Sequence, residues 1–142
     1  MDAVAPAATK TQVVQELYRI FGEGNIPALI GTLPQLQVWR GMGAPQVAMG
    51  RDYPGAEVGA FFQALGSTLN ITQFTPHTFV EQGDHVVALG TMSGTAHSTG
   101  QPFSTRWAHH WKFQDGQVIE FNDHFDSLNI YASLVTEALP QR

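Results

Sequence analysis

The stretch from Phe103 to Asp126 constrains the fold most, because two alternating runs meet there at Gln114, Asp115 and Gly116. Two turn geometries compete. A two-residue Asp-Gly loop of type I′ sets Gln114 opposite Gln117, whereas a three-residue loop with Gly116 in the left-handed position of a G1 bulge sets Phe113 opposite Gln117. The one-residue difference flips one strand's faces relative to the other's. With the three-residue loop, Trp107, His109, Trp111, Ile119, Phe121, Asp123 and Phe125 share one face. Arg106, Ala108, His110, Lys112, Val118, Glu120, Asn122, His124 and Asp126 then share the other. One face is aromatic and the other polar, whereas the two-residue loop mixes the two sets, so the hydrophobic pattern selects the three-residue turn. This register predicts His110 opposite Glu120 on the outer face. On the inner face it predicts His109 opposite Phe121 and diagonal to Asp123, about 7 to 8 Å away backbone to backbone.

The same period of two extends back to Ile71 and predicts strands near 71–82, 85–96, 103–113 and 117–126, with glycine-containing turns between them. Upstream the period is helical. Val14, Leu17, Tyr18 and Phe21 form the stripe of a first helix that the Gly22–Gly24 stretch stops. Asn25 caps a short second helix with Pro27 in its first turn and Ile26, Leu29, Ile30 and Leu33 inward, ending at Pro34. A short strand is expected at Leu36–Arg40, a long loop at Gly41–Gly55, a third helix at Ala56–Leu69 with Val58, Phe61, Phe62 and Leu65 buried, and a closing helix through Leu128, Tyr131, Leu134 and Val135. The order predicts an α+β domain, three to four helices packed on one face of a cone-like, curved antiparallel sheet of about four to six strands, with a central pocket between them.

A length of 142 residues fits one domain, expected at 11–142, with Met1–Lys10 as a disordered tail. That alanine-rich start lacks the basic and apolar regions of a secretory signal, and no run approaches the ~20 apolar residues of a membrane helix. A soluble, cytoplasmic protein is expected. Its net charge of −5 repels phosphate backbones and argues against nucleic acid as a partner. No cysteine is present, which removes disulfides, thiolate nucleophiles and cysteine-type zinc sites. Only 13% of residues are charged against 43% hydrophobic, so apolar surface is expected to line a cavity or meet a partner subunit.

Two polar side chains stand on the aromatic face, His109 and Asp123. A carboxylate among tryptophan and phenylalanine is costly to bury unless paired, and a buried acid or base with a histidine to orient it or exchange its proton is a recurring catalytic arrangement. The structural alternative has Asp123 capping a buried backbone group or the last helix, with His109 a satisfied core residue. His109 and His110 point to opposite faces and the six histidines lack ligand spacing, so no metal is expected. Gly-x-Gly at Gly22–Gly24 and Gly41–Gly43 does not continue into a dinucleotide pattern, and no cofactor is expected. Tyr18, Trp39 and Met92 are further candidates for the cavity wall, and Gly90 and Gly94 flank Met92 where a ligand or another backbone approaches.

Several segments together resemble the SnoaL-like branch of the nuclear transport factor two-like (NTF2-like) superfamily, which also contains ketosteroid isomerase, polyketide cyclases and limonene epoxide hydrolase. They are Phe21-Gly22-Glu23-Gly24-Asn25, Val38-Trp39-Arg40-Gly41, Met49-Gly50-Arg51, Phe61-Phe62, Arg106-Trp107-Ala108-His109 and Phe121-Asn122-Asp123-His124-Phe125-Asp126. The resemblance implies that Asp123 matches the last-strand aspartate of SnoaL-type cyclases and His109 the histidine one strand back. It also implies a homodimer through the outer sheet face, where Arg106, His110, Lys112, Glu120 and His124 interleave charge. The epoxide hydrolases' Arg-x-Asp falls near Gly90 and Met92 here, and ketosteroid isomerase's first-strand aspartate falls near Trp39 and Arg40, so neither mechanism transfers whole. The expected function is cofactor-independent acid/base catalysis, of cyclase or isomerase type, on an apolar carbonyl or polycyclic substrate. Asp123 and His109 would be catalytic, and Tyr18, Trp39, Met92, Trp107, Trp111, Phe121 and Phe125 would bind substrate. The alternatives are a non-catalytic binder of a hydrophobic small molecule and an epoxide-hydrolase-like enzyme.

Overall fold

The computed structural model describes residues 8–44 and 46–136. Helix α1 (Lys10–Gly22) starts at a reciprocal cap: Thr9 Oγ1 accepts from the Gln12 N–H at 3.1 Å, and Gln12 Oε1 accepts from the Thr9 N–H at 2.9 Å. Two donors that a helix start leaves open are thereby satisfied. Lys10, expected in a disordered tail, begins this helix instead, and residues 1–7 of that expected tail lie outside the described residues. Val14, Leu17 and Ile20 are buried along the helix, and Gly24 at φ 74° turns the chain away. Asn25 Oδ1 accepts from the Ala28 N–H to start α2 (Ile26–Gly31), which ends before the expected Pro34.

Strand β1 (Val38–Gly41) follows, and the segment expected as one long loop contains a further strand, β2 (Asp52–Pro54). Only Tyr53 of its three residues is buried, which is too short a stretch to show a period of two in the sequence. A single 3₁₀ turn at Gly55–Glu57 leads into α3 (Val58–Thr68). The long strands β3 (Leu69–Gln82), β4 (His85–Ala96), β5 (Pro102–Gln114) and β6 (Gln117–Phe125) then run close to their expected bounds, and α4 (Ser127–Leu134) closes the chain. The six strands form one curved, unclosed sheet in the order β2-β1-β6-β5-β4-β3. Neighbours are antiparallel except β1 and β6, which run parallel. Helices α1 and α3 both pack on β3, with α1 reaching β4 and α3 reaching β2. Register shifts in β3 at Ile71/Gln73 and Pro76/Thr78 bend the sheet. Beside the second, a Cβ on Gly90 would lie 2.2 Å from Trp107 Cζ2 and 2.6 Å from the Thr75 carbonyl oxygen. Only a glycine lets the indole lie against the strand there. No described helix is long and apolar enough to cross a membrane.

The β5–β6 hairpin corrects the expected turn. Asp115 (φ 52°) and Gly116 (φ 76°) are both left-handed and Gln114 pairs with Gln117, the two-residue geometry that Asp-Gly favours. Phe113 then pairs with Val118, but Lys112 pairs with Glu120, so Ile119 is an extra residue in β6. The one-residue offset demanded by the aromatic face is thus supplied by a bulge beyond the turn, not by the turn itself. Trp111 meets Phe121 and His109 meets Asp123 directly, in place of the predicted His109–Phe121 pair, and Val118 is buried rather than on the polar face. His110 lies opposite Asn122, and Glu120 lies opposite Lys112 and accepts from Arg40 Nη1 at 3.2 Å, so the predicted His110–Glu120 pair is absent.

On this outer face the Arg40 guanidinium also donates to Asn122 Oδ1 at 3.1 Å, which turns the amide nitrogen toward His110 Nδ1, 3.1 Å away. That ring nitrogen accepts, leaving the His110 Nε2–H to donate to His85 Nδ1 at 2.8 Å. Burial holds His110 below the ordinary imidazole range, and the charge His85 acquires on protonation adds to this while Glu120 opposes it. The unfolded chain therefore binds a proton that the folded one refuses, so stability is lost as pH falls below about 6.5. Between about pH 7.5 and about pH 5 the melting temperature should fall more steeply for the wild type than for His110→Gln. Parallel slopes would contradict the neutral His85–His110 pair.

Candidate active site

The bulge in β6 places the two inner-face polar residues side by side, with His109 Nε2 3.0 Å from Asp123 Oδ1. The carboxylate oxygen lies off the direction of a ring N–H, so the contact is a close electrostatic one, and Oδ1 has no hydrogen-bond partner among the described residues. Aromatic rings fix the imidazole: Trp107 stacks on it at 4.0 Å between centroids, and Phe121 meets it edge-on at 4.7 Å. The structural alternative for Asp123, capping the last helix, belongs to Asp126, which accepts from the Asn129 N–H.

Helix α1 contributes Tyr18, whose hydroxyl lies 2.7 Å from His109 Nδ1 and accepts from Trp111 Nε1 at 3.1 Å. Burial holds the phenol well above its ordinary range, the Trp111 N–H opposing and the nearby Asp123 charge adding to the shift, so Tyr18 keeps its proton. An indole N–H only donates. With the Tyr18 oxygen accepting from Trp111, its own proton goes to His109 Nδ1, and the His109 proton sits on Nε2, facing the carboxylate. The opposite tautomer would set a nitrogen lone pair against the carboxylate oxygen. The donors of Trp111 and Tyr18 thus run toward His109, whose Nε2–H lies beside the Asp123 carboxylate without a directed hydrogen bond to it, and the hydrogen-bonded members polarise one another. The sequence placed Tyr18 on the cavity wall without this role; the available signal was that a buried tyrosine hydroxyl requires a partner.

Around this chain lies an apolar cavity of about 60 Å³. All nine expected site residues line it: His109 and Asp123 with Tyr18, Trp39, Met92, Trp107, Trp111, Phe121 and Phe125. Sequence reasoning did not assign Phe74 of β3, which stacks on Trp107 at 4.8 Å, or the wall formed by Phe61 and Phe62 of α3. Sites for drug-sized ligands run to about 300–1,000 Å³, so a polycyclic molecule requires ring side chains to move. Trp107 and Phe125 are placed to do so, since they also line an open groove bounded by Leu89, Arg106 and His124. A second buried polar atom, Trp39 Nε1, has no hydrogen-bond partner among the described residues.

The pattern of a SnoaL-like domain matches residues 14–121, from α1 into β6. The chain belongs to the SnoaL-like domain family. An NTF2-like protein of unknown function from Burkholderia pseudomallei K96243 is 26% identical over 92% of this SnoaL-like chain and 100% of its own, with a TM-score of 0.79. TerC, crystallised with polyporic acid, is 22% identical over 88% of this chain and 97% of its own at a TM-score of 0.75. A provisionally named polyketide cyclase from Xanthomonas campestris is 18% identical over 89% and 96% at 0.69. At such identities the last two share the fold. No curated protein matches the sequence.

The donor chain in this SnoaL-like domain is testable without a substrate. Long-range ¹H–¹⁵N spectra should show His109 as the Nε2–H tautomer. Tyr18→Phe should release it into a mixture and lower stability by about 1–3 kcal/mol, as a buried donor and acceptor lose their partner. A wild-type Nδ1–H tautomer would refute the direction of the chain.

Proposed function

We propose that this SnoaL-like protein is a cofactor-independent acid/base enzyme of cyclase or isomerase type acting on an apolar carbonyl or polycyclic substrate. One observation carries the reading: among the side chains lining the cavity Asp123 is the one carboxylate, and it sits 3.0 Å from a histidine whose tautomer Tyr18 holds. Asp123 takes a proton from carbon beside the substrate carbonyl; the C–H electron pair moves into a new C=C bond as the carbonyl π pair moves onto oxygen. Returning the proton to a different atom completes an isomerisation. If the enolate carbon instead attacks a second carbonyl, a C–C bond forms and the proton ends on the new alkoxide. Neither route needs a co-reactant. The His109 Nε2–H, close beside the carboxylate, stabilises its charge electrostatically, and the rings of Trp39, Trp107, Trp111 and Phe121 exclude water, with Tyr18, Met92 and Phe125 completing the binding surface.

That a protein of this fold has been crystallised with polyporic acid supports a small-molecule ligand. An epoxide-hydrolase mechanism fits less well, because Gly90 and Met92 stand where its Arg-x-Asp would fall, and the Trp107 indole occupies the space beside Gly90.

The proposal includes a homodimer through the outer sheet face, supported by the half-exposed Leu89 beside Arg106, Ala108 and His124. Light scattering at micromolar concentration should give twice the chain mass, and a monomer would remove the dimer from the proposal. For the chemistry, the wild type should accelerate deuterium exchange at the carbon beside the carbonyl of 1-indanone in D₂O. Asp123→Asn should slow that exchange by at least ~10²-fold with little change in affinity. Equal rates in the two proteins would leave a non-catalytic binder, and a loss of stability without a specific loss of exchange would make Asp123 structural.

A further inference from the structure

The three indoles of the chain line the same cavity and differ in one respect. Trp107 Nε1 donates to the Thr91 carbonyl at 3.1 Å, and Trp111 Nε1 donates to the Tyr18 hydroxyl at 3.1 Å. Trp39 Nε1 is fully buried and meets no acceptor among the described residues. The residue is 3% exposed and its ring is held on several sides, with Phe121 at 3.8 Å, Phe61 and Phe62 at 5.4 Å, and the Trp111 edge at 5.8 Å. An indole N–H has no function in hydrogen bonding except to donate, and a buried donor left open carries its full desolvation penalty. A phenylalanine would fill this aromatic nest without that penalty.

Among the described residues the other buried side-chain polar atom without a hydrogen-bond partner is Asp123 Oδ1, an acceptor when ionised, on the wall of the same cavity. Strand β1 brings the two close, since Trp39 pairs with Phe121 and Gly41 pairs with Asp123. An open donor and an open acceptor therefore share one apolar enclosure and do not satisfy each other. A molecule that completes both carries an oxygen acceptor at one point and a proton-bearing group at another, on a flat apolar body that fits between rings.

We infer that Trp39 is the ligand-recognition donor of this cavity, its indole N–H bonding the carbonyl oxygen of a flat, apolar ketone whose proton-bearing side faces Asp123. This rests on the cavity taking a small molecule, as proposed above, and adds which residue reads the oxygen and which way round the ligand lies. Held against Trp39, the carbonyl gains a donor that stabilises the negative charge developing on its oxygen when Asp123 removes the neighbouring proton.

The test compares 1-indanone with indane, which has the same rings without the oxygen. Each is titrated into the wild type and into Trp39→Phe, followed by the indole resonances in ¹H–¹⁵N spectra. The wild type should bind 1-indanone about tenfold more tightly than indane, the effect of one hydrogen bond to an already desolvated donor. Trp39→Phe should bind the two alike. In the wild type the Trp39 indole resonance, assigned through its contacts with the Phe121 ring, should move downfield with 1-indanone and not with indane. This readout does not depend on the variant folding. A preference for 1-indanone that survives in Trp39→Phe, or a wild type that binds both alike because the N–H holds only a buried water, overturns the role of Trp39. Failure of both probes to bind the wild type overturns the ligand cavity as well. Wild-type exchange unchanged in Asp123→Asn, together with the predicted preference, overturns the proposed chemistry and leaves this inference standing.

Discussion

The one-residue offset between β5 and β6 is the constraint on which the inner face depends. The turn at Asp115-Gly116 starts a register that, continued unbroken, would pair His109 with Asn122 and send Asp123 to the opposite face. The extra residue Ile119 restores the alternation, so Trp107, His109 and Trp111 meet Phe125, Asp123 and Phe121 in turn. Side chains in a sheet alternate with a period of two, so nothing smaller than a whole-residue slip would do. The chain keeps the turn its dipeptide favours and makes the correction next to it.

The same register separates two adjacent histidines and gives each a fixed proton. His109 faces the cavity, where Tyr18 reaches across from α1 to hold its Nδ1. His110 faces outward, where Arg40 orients Asn122 and Asn122 in turn holds its Nδ1. In both cases a neighbour's donor decides which nitrogen carries the proton, and that nitrogen then lies beside the next group, hydrogen-bonded to it only in the outer case. Inside, the next group is a carboxylate among rings. Outside, it is His85, in a setting where a second positive charge is unfavourable. The arrangement is alike and the surroundings are not, because the inner network ends beside a largely buried carboxylate and the outer one on an exposed imidazole.

Membership in the SnoaL-like family fixes the scaffold and leaves the chemistry to the side chains, since one fold carries many activities. What distinguishes this cavity is how little open space it has, about 60 Å³, and how much of its wall is aromatic. Apolar surroundings strengthen the electrostatic coupling among Trp111, Tyr18, His109 and Asp123. They also make ligand entry depend on the displacement of rings such as Trp107, which stands between the cavity and the groove outside.

The sequence by itself determined the element order apart from β2, the four long strands to within a few residues, the aromatic face of the hairpin and the presence of His109 and Asp123 together on it, because alternation and helical spacing are local and report burial directly. It also marked the wall residues, from Tyr18 to Phe125, as inward. Other features required the tertiary structure. The bulge at Ile119 was invisible because two turns give the same faces if one of them is followed by a bulge, and only the paired backbone distinguishes them. Strand β2 was invisible because three residues carry no period. Tyr18's role, the separate networks of His109 and His110, and the open N–H of Trp39 depend on side chains that come from distant parts of the chain. Hydrogen bonds are short and directional, so whether a buried polar atom is satisfied is decided by where those elements dock, which no stretch of sequence contains alone.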